Sequence, residues 1–390
     1  MPRDVAFDRA SQLSKVKTAI DAHGRSLRNL AIAAMLLILV GALIVGPILV
    51  PTQGNDAETV AQMSTNVDIS DVSDGYGFMS LIYAYTNRPI QFLIMLGLGG
   101  VAIGVFLWWL RVPRLIALAC FMLLAPIFLY LPFFIKDTFT TPVSIGAVLV
   151  LLSRRWPAWA QIGCVLLLYA AYAAIFRQYY FLIAGIWLGV MVFLYASWPW
   201  RIAILITVPL IMLLVPGHIY DAMQAPRDIA NSMRVGFAGA GNRTAFVNLV
   251  KPDGLGSFVI NYLYAAFRLN LPIVEGGPKE AYLFLNLCLY GWLTWTGLRS
   301  GNMRIAWPAG LFLSHILVLT IFEPDLGSYL RHVSTAIFLL APSLVMQDRL
   351  FQMRHLLLPP PRTADPRSFP TTAPLPVPLR DGVSTGTLHR

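Results

Sequence analysis

The sequence predicts an all-α integral membrane protein of about ten transmembrane helices with a large extracytoplasmic loop, and three kinds of observation carry that prediction. Of the 390 residues, 57% are hydrophobic and only 12% charged, where a soluble globular chain carries about 25% charged residues. Apolar runs recur at close to the roughly 20 residues needed to cross a hydrocarbon core. Lys and Arg collect at alternate ends of those runs, as the positive-inside rule requires. A formal charge of +10 would raise the question of nucleic acid in a soluble chain. Sidedness in a bilayer accounts for it here, so no nucleic acid is expected.

Residues 1–29 are a mostly polar segment with six basic residues. The apolar run that follows shows no small-residue cleavage site and reads as a retained first span. The runs, in order, are Leu30–Val50, Pro89–Leu110, Leu115–Ile135, Phe139–Ser153, Trp156–Phe176, Tyr179–Ala196, Ile202–Gly217, Ala281–Leu298, Ile305–Phe322 and Leu330–Met346. The fourth and the last are short enough to require tilt or local thinning of the bilayer. Together they define a transmembrane domain over 30–346 with long outer loops at 51–88 and 218–280.

With the N-terminus inside, the cytoplasmic segments hold 19 basic and 6 acidic residues, and the outer segments 10 and 13. Leu255–Val274 is apolar enough to suggest an extra span, but that would export Arg299, Arg304 and the basic tail. It is therefore read as an interfacial or re-entrant segment on the outer face. Residues 347–390 form a cytoplasmic tail that from Pro359 holds eight of the 27 prolines, the composition of a disordered segment. Both termini are thus expected in the cytoplasm, with bilayer lipids as neighbours of the intervening helices.

Short inner loops leave no room for a soluble nucleotide-binding domain, and neither GxGxxG nor GxxxxGK[ST] occurs. Cys120, Cys164 and Cys288 lie in apolar runs without zinc or redox spacing and read as packing residues. Asp68, Asp71 and Asp74 lack an EF-hand pattern. No metal and no cofactor is expected.

Ionisable groups at membrane boundaries are costly and persist where they are paired or used, which singles out four clusters. Lys136-Asp137 reads as a local ion pair in a tight turn. Arg177-Gln-Tyr179-Tyr180 places an Arg outside, against the positive-inside trend, with an anchoring role as the alternative. Tyr264 and Arg268, four apart, share a face of a short helix, and an aromatic beside Arg suits a sugar ring or a phosphate. The segment Glu323-Pro-Asp325-Leu-Gly-Ser-Tyr-Leu-Arg331-His332 packs two carboxylates, an Arg and a His into one turn. Arg227, Arg234, Arg243 and Lys251 alternate with Asp221, Asp228 and Asp253 in what reads as a solvated mixed-charge loop. Within it, Arg243 and Gly254 form an Arg-x10-Gly pattern.

This layout, with the Lys136-Asp137 turn, Arg177 followed by tyrosines, the outer-loop Arg-x10-Gly and the Gly-Ser-Tyr-Leu-Arg-His turn, resembles Wzy-type polysaccharide polymerases, which belong with the O-antigen ligases. It departs from their pattern in carrying a single Arg-x-Gly loop. The resemblance implies a glycosyltransferase of the bacterial inner membrane, acting in exopolysaccharide, capsule or O-antigen synthesis. Its implied partner is an undecaprenyl-pyrophosphate-linked oligosaccharide, with chain-length regulator and export proteins alongside. Cleaving the anomeric bond releases a diphosphate that needs charge stabilisation, which Arg provides as a planar, permanently charged fork. Arg177, Arg268 and Arg331, with Arg243, are the expected pyrophosphate ligands; Tyr179, Tyr180 and Tyr264 are the expected sugar platforms. The acceptor hydroxyl needs a proton acceptor, and Glu323, Asp325 and His332 remain open alternatives.

Three other classes compete. A transporter or flippase of lipid-linked glycan needs a polar path across the bilayer, and only Asn286 and His315 stand out at depth. A lipid-linked sugar transferase of the GT-C type would use an acidic residue of the first outer loop, among Asp68, Asp71 and Asp74. A membrane acyltransferase would place its His toward a cytoplasmic donor.

Overall fold

The structure, a computed structural model, describes residues 3–49, 60, 62–64, 75–238 and 246–357. Among them there is no strand. The chain runs through α1 (Arg3–Leu49), α2 (Gly75–Tyr85), α3 (Arg88–Leu107), α4 (Pro113–Leu129), α5 (Thr140–Leu152), α6 (Ala158–Ile175) and α7 (Tyr180–Tyr195). It continues through α8 (Trp198–Leu214), α9 (Gly217–Ala238), α10 (Leu255–Asn270), α11 (Pro278–Leu298), α12 (Met303–Phe322), α13 (Leu326–Thr335) and α14 (Ala341–Leu357). Short 3₁₀ turns stand at Lys136–Phe139, Pro272–Glu275 and Ile337–Leu340.

Helix starts follow local chemistry. Asn87 accepts from the Ile90 N–H at 3.0 Å, with Pro89 in the first turn of α3. Proline there costs nothing, since that N–H has no intrahelical partner. Asn302 caps α12 in the same manner, accepting from Arg304 N–H at 3.0 Å. Asp348 of α14, almost wholly buried, accepts from the Arg111 and Val112 N–H groups at 3.0 and 2.8 Å. This carboxylate satisfies backbone donors just ahead of α4.

Among the described residues, four helical stretches are long and apolar enough to cross a membrane: Ala22–Gly46, Arg88–Leu107, Ala158–Ile175 and Met303–Phe322. The number rises to six if each of two bent pairs is one span. This is fewer than the ten expected from hydropathy, because several apolar runs are not single helices of full length. Leu115–Ile135 yields a helix that stops at Leu129, with Pro126 in its final turn. Phe139–Ser153 yields the 13 residues of α5. Leu330–Met346 is split by a 53° bend between α13 and α14, and α14 carries on to Leu357, so the boundary drawn at 346 falls inside a helix. Residues 218–280, expected as a loop, hold α9 and α10, and α8 turns into α9 through 91°.

The core is centred on α12, buried along most of its length and packed against α7, α11, α14 and the outer helices α9 and α10. Small residues let it sit close: a Cβ on Gly297 would lie 2.3 Å from Ser343 Oγ and 2.8 Å from Ala309 Cβ. α1 lies against α3 and α4. At the rim, α8 buries no residue at all.

The two ends of the helices differ in chemistry. At the α3–α4, α6, α8, α11 and α12 ends that carry the basic turns, Trp108, Trp109, Trp156, Trp159, Trp198, Trp200 and Trp295 are exposed. Arg28 lies over Trp108 at 4.7 Å and Arg299 over Trp295 at 3.9 Å. Amphipathic Trp with Arg is the composition of a membrane–water interface.

Candidate functional site

At the opposite ends of the same helices the chain concentrates its buried charge. The 3₁₀ turn after α4 presents Asp137, the four-residue link between α6 and α7 presents Arg177, the C-terminus of α12 presents Glu323, and α13 presents Arg331 and His332. Asp137, Arg177 and Glu323 stand in short connections at helix ends, and the short helix α13 that follows Glu323 brings Arg331 and His332 to them.

Asp137 is the hub. Its side chain is 1% exposed, and Arg177 Nη2 donates to Oδ1 at 2.5 Å. Arg331 Nε lies 3.0 Å from Oδ2, and His332 Nε2 lies 3.2 Å from Oδ1. On its other side His332 Nδ1 is 2.6 Å from Glu323 Oε1. The Arg331 Nε and imidazole contacts are at ion-pair range without hydrogen-bond alignment. Ser328 Oγ donates to Glu323 Oε2 at 2.5 Å.

Burial alone would push the Asp137 pKa up, but Arg177, His332 and Arg331 overcome it and hold the carboxylate well below its ordinary range. The same contest at Glu323 ends the same way. Desolvation raises its pKa, and His332, Arg177 and the Ser328 hydroxyl outweigh that and bring it below normal.

Both depressions carry a sign for stability. A carboxylate whose folded pKa lies below its unfolded value contributes stability that is present above the unfolded pKa and lost as pH falls through the folded one. Thermal unfolding of the detergent-solubilised protein should therefore be level across neutral and weakly acidic pH and fall below about pH 4. Asp137→Asn should show a shallower acid drop; an unchanged acid profile would contradict the ion-pair assignment.

Aromatic side chains line this end. Tyr179 stacks on Phe322 with ring centroids 5.3 Å apart, and Arg177 Nη1 donates to its hydroxyl at 3.1 Å. Tyr180 is buried, and its hydroxyl donates to Thr140 at 3.4 Å. Beneath it, His315 meets the Tyr169 hydroxyl at 2.8 Å. A cavity of about 660 Å³ opens beside the cluster, with Arg177, Tyr179 and Phe322 on one wall and His218, Ile219 and Met223 of α9 on another. Gly75, at the start of α2, completes it. A Cβ there would lie 2.9 Å from the Phe176 carbonyl oxygen, so glycine lets α2 dock beside Arg177.

Of the residues singled out by sequence, Arg177, Arg331, His332, Glu323 and Tyr179 come together here, with Tyr180 packed behind them. Asp325 caps α13, accepting from the Ser328 N–H at 2.9 Å. Arg268 instead pairs with Glu275 at 2.6 Å, and Tyr264 packs edge-on against Phe246. Arg243, Asp68, Asp71 and Asp74 lie outside the described residues.

Two assignments change. Asp137, read as the local partner of Lys136, turns to arginines across the bundle, while Lys136 Nζ sits 3.5 Å over the Tyr76 ring. Arg227, read as solvated, has a fully buried side chain that donates to Asn248 and lies over Phe246. Its neighbours Gln224 and Asn261 are also buried and joined by a 3.0 Å hydrogen bond. The spacing of Tyr220, Gln224, Arg227 and Asn231 on one face of α9 was the available signal, though polar residues at helical spacing read more readily as a wet face.

No protein-family model matches this chain, and no curated protein or solved structure matches it either.

Proposed function

We propose that this membrane protein is a glycosyltransferase that polymerises undecaprenyl-pyrophosphate-linked repeat units at the periplasmic face of the bacterial inner membrane. The observation that carries the reading is the convergence of Arg177 and Arg331 with His332 and Glu323 beside an aromatic-walled cavity. Transfer breaks the anomeric C–O bond to the diphosphate and forms a glycosidic C–O bond to the acceptor hydroxyl. The acceptor's proton must be taken up as the leaving diphosphate gains charge. Two guanidinium groups suit that charge, since each can bind phosphate in a planar fork without losing its own charge. His332, held by Glu323, suits the proton. Stacked Tyr179 and Phe322 suit a pyranose face.

The topology we propose counts α1, α3, α4, α5, α6, α7, α8, α11, α12 and the bent α13–α14 unit as ten passes, with the shorter ones tilted. Both termini are then cytoplasmic, on the side of the Trp–Arg ends, and the cluster faces the periplasm. α10 fits an interfacial helix: it buries Phe258, Asn261, Ala265 and Leu269 while Val259, Leu263 and Phe267 stay exposed.

A deletion strain tests the function, with lipid-linked saccharides followed by mass spectrometry and surface polysaccharide by gel ladder. Single repeat units held on the outer leaflet, with long chains lost, are the expected result. Accumulation on the inner leaflet would make the protein a flippase. Full-length polymer lacking only a decoration would move it to the acyltransferase or side-branch transferase class. In the same strain, Ser232→Cys should be labelled by an impermeant thiol reagent and Arg155→Cys only after permeabilisation; the reverse would overturn the orientation.

A further inference from the structure

The charge count of the cluster is unusual for a site that binds an anion. Arg177 and Arg331 are already matched by Asp137 and Glu323, and the fifth member, His332, lies between the two carboxylates. A buried carboxylate is neutralised by one well-placed cation; Asp137 takes two arginines and an imidazole. The two arginines arrive from separate elements, the α6–α7 link and α13, and meet on different oxygens of one carboxylate. Two forks converging on adjacent oxygens is the arrangement a diphosphate would meet.

Exposure is unequally shared within this group. The Asp137 side chain is at 1%, whereas those of Arg177 and Arg331 each keep 15%, and Arg177 lines the cavity. Both arginines are therefore more open to an incoming anion than the aspartate is, Arg177 from the cavity itself. We propose that Asp137 is an internal stand-in for the diphosphate, which holds Arg177 and Arg331 in the empty site and yields them to the ligand. The proposal rests on the diphosphate reading of the site.

Two consequences follow from exchange in place of simple addition. A monoanion offers the two arginines no more charge than Asp137 already does, whereas a diphosphate brings more charge and a second phosphoryl group, so the resting site discriminates by charge and span in favour of a diphosphate. Once the arginines turn to the ligand, Asp137 keeps His332 at 3.2 Å as its remaining neighbour in the cluster, so the imidazole stays held between the two carboxylates.

The test uses the full chain in nanodiscs, with inorganic pyrophosphate as probe and calorimetric titration as readout. Asp137→Asn, which keeps shape and removes charge, should bind pyrophosphate more tightly than wild type by about tenfold or more, the scale of one charge-assisted contact no longer in competition. It should also lose preference for pyrophosphate over phosphate. Equal or weaker binding by a folded variant would overturn the stand-in role and leave the diphosphate reading intact. Absence of pyrophosphate binding by wild type and variant alike would remove that reading and this proposal together. Should the variant fail to fold, the structure of the wild-type protein with pyrophosphate bound decides. Arginines on phosphate and parted from Asp137 support the exchange, and a retained 2.5 Å Arg177–Asp137 contact beside bound pyrophosphate overturns it.

Discussion

Replacing Arg331 or Arg177 by alanine should abolish polymer while the protein still reaches the membrane. Loss of one preorganised donor to a developing negative charge costs about 10²–10³ in turnover. Each arginine here does more than that, because it also neutralises Asp137 inside the protein. Breaking a buried ion pair from one side costs about 3–5 kcal/mol of stability, so alanine alone confounds folding with chemistry. Lysine separates them. Arg331→Lys and Arg177→Lys keep a cation near Asp137 but lose the planar fork; they should restore the folded yield and leave turnover at least about tenfold down. Initial rates on lipid-linked repeat units, normalised to folded protein in detergent, provide the measurement. Full polymer from both alanine variants would end the arginine assignment.

His332→Ala is expected to lower turnover by about 10²–10⁴, the range for removing a positioned acid–base group. The geometry ranks the three alternatives that sequence left open. Glu323 lies 2.6 Å from His332 Nδ1 and is held ionised by its neighbours, so on the proposed function it serves the imidazole as a charged neighbour and His332 serves as the base. Glu323→Gln should therefore cost less than His332→Ala, and added imidazole should rescue the latter in part. Asp325 serves the α13 backbone. Asp325→Ala should cost about 0.5–2 kcal/mol of stability, as for other N-caps, with turnover per folded molecule nearly unchanged. A His332→Ala variant with wild-type rate, or an Asp325→Ala variant that is folded and dead, would reverse this ranking.

The helical membrane character was legible because lipid tolerates few alternatives: long apolar runs with sparse charge have nowhere else to go. Where the helices break was not. The halt of α4 at Leu129 and the bend after Thr335 depend on what each helix meets in the bundle, which hydropathy does not encode. The site was legible in the same proportion. Arg177, Glu323, Arg331 and His332 announced themselves as charges at span ends that a bilayer makes costly. Asp137 was seen but mispaired, since its true partner Arg177 is 40 residues away along the chain and proximity in sequence favours Lys136. Arg268 stands apart from the cluster for the opposite reason. Its partner Glu275 closes the 3₁₀ turn at Pro272–Glu275, and a locally paired arginine looks identical to any other when only spacing is read.

The short helices bear on where in the bilayer the chemistry takes place. α4, α5 and α7 have 17, 13 and 16 residues, or roughly 26, 20 and 24 Å at about 1.5 Å per residue, against about 30 Å of hydrocarbon. On the proposed topology they join the Trp–Arg interface at one leaflet to the Asp137 cluster at the other. The cluster is consequently recessed toward the acyl chains, or the leaflet dips to meet it. In both cases the polyprenyl diphosphate of the proposed function would reach the arginines by lateral diffusion in its own plane. Its headgroup would come down to the protein's charges, and its tail would never have to leave oil.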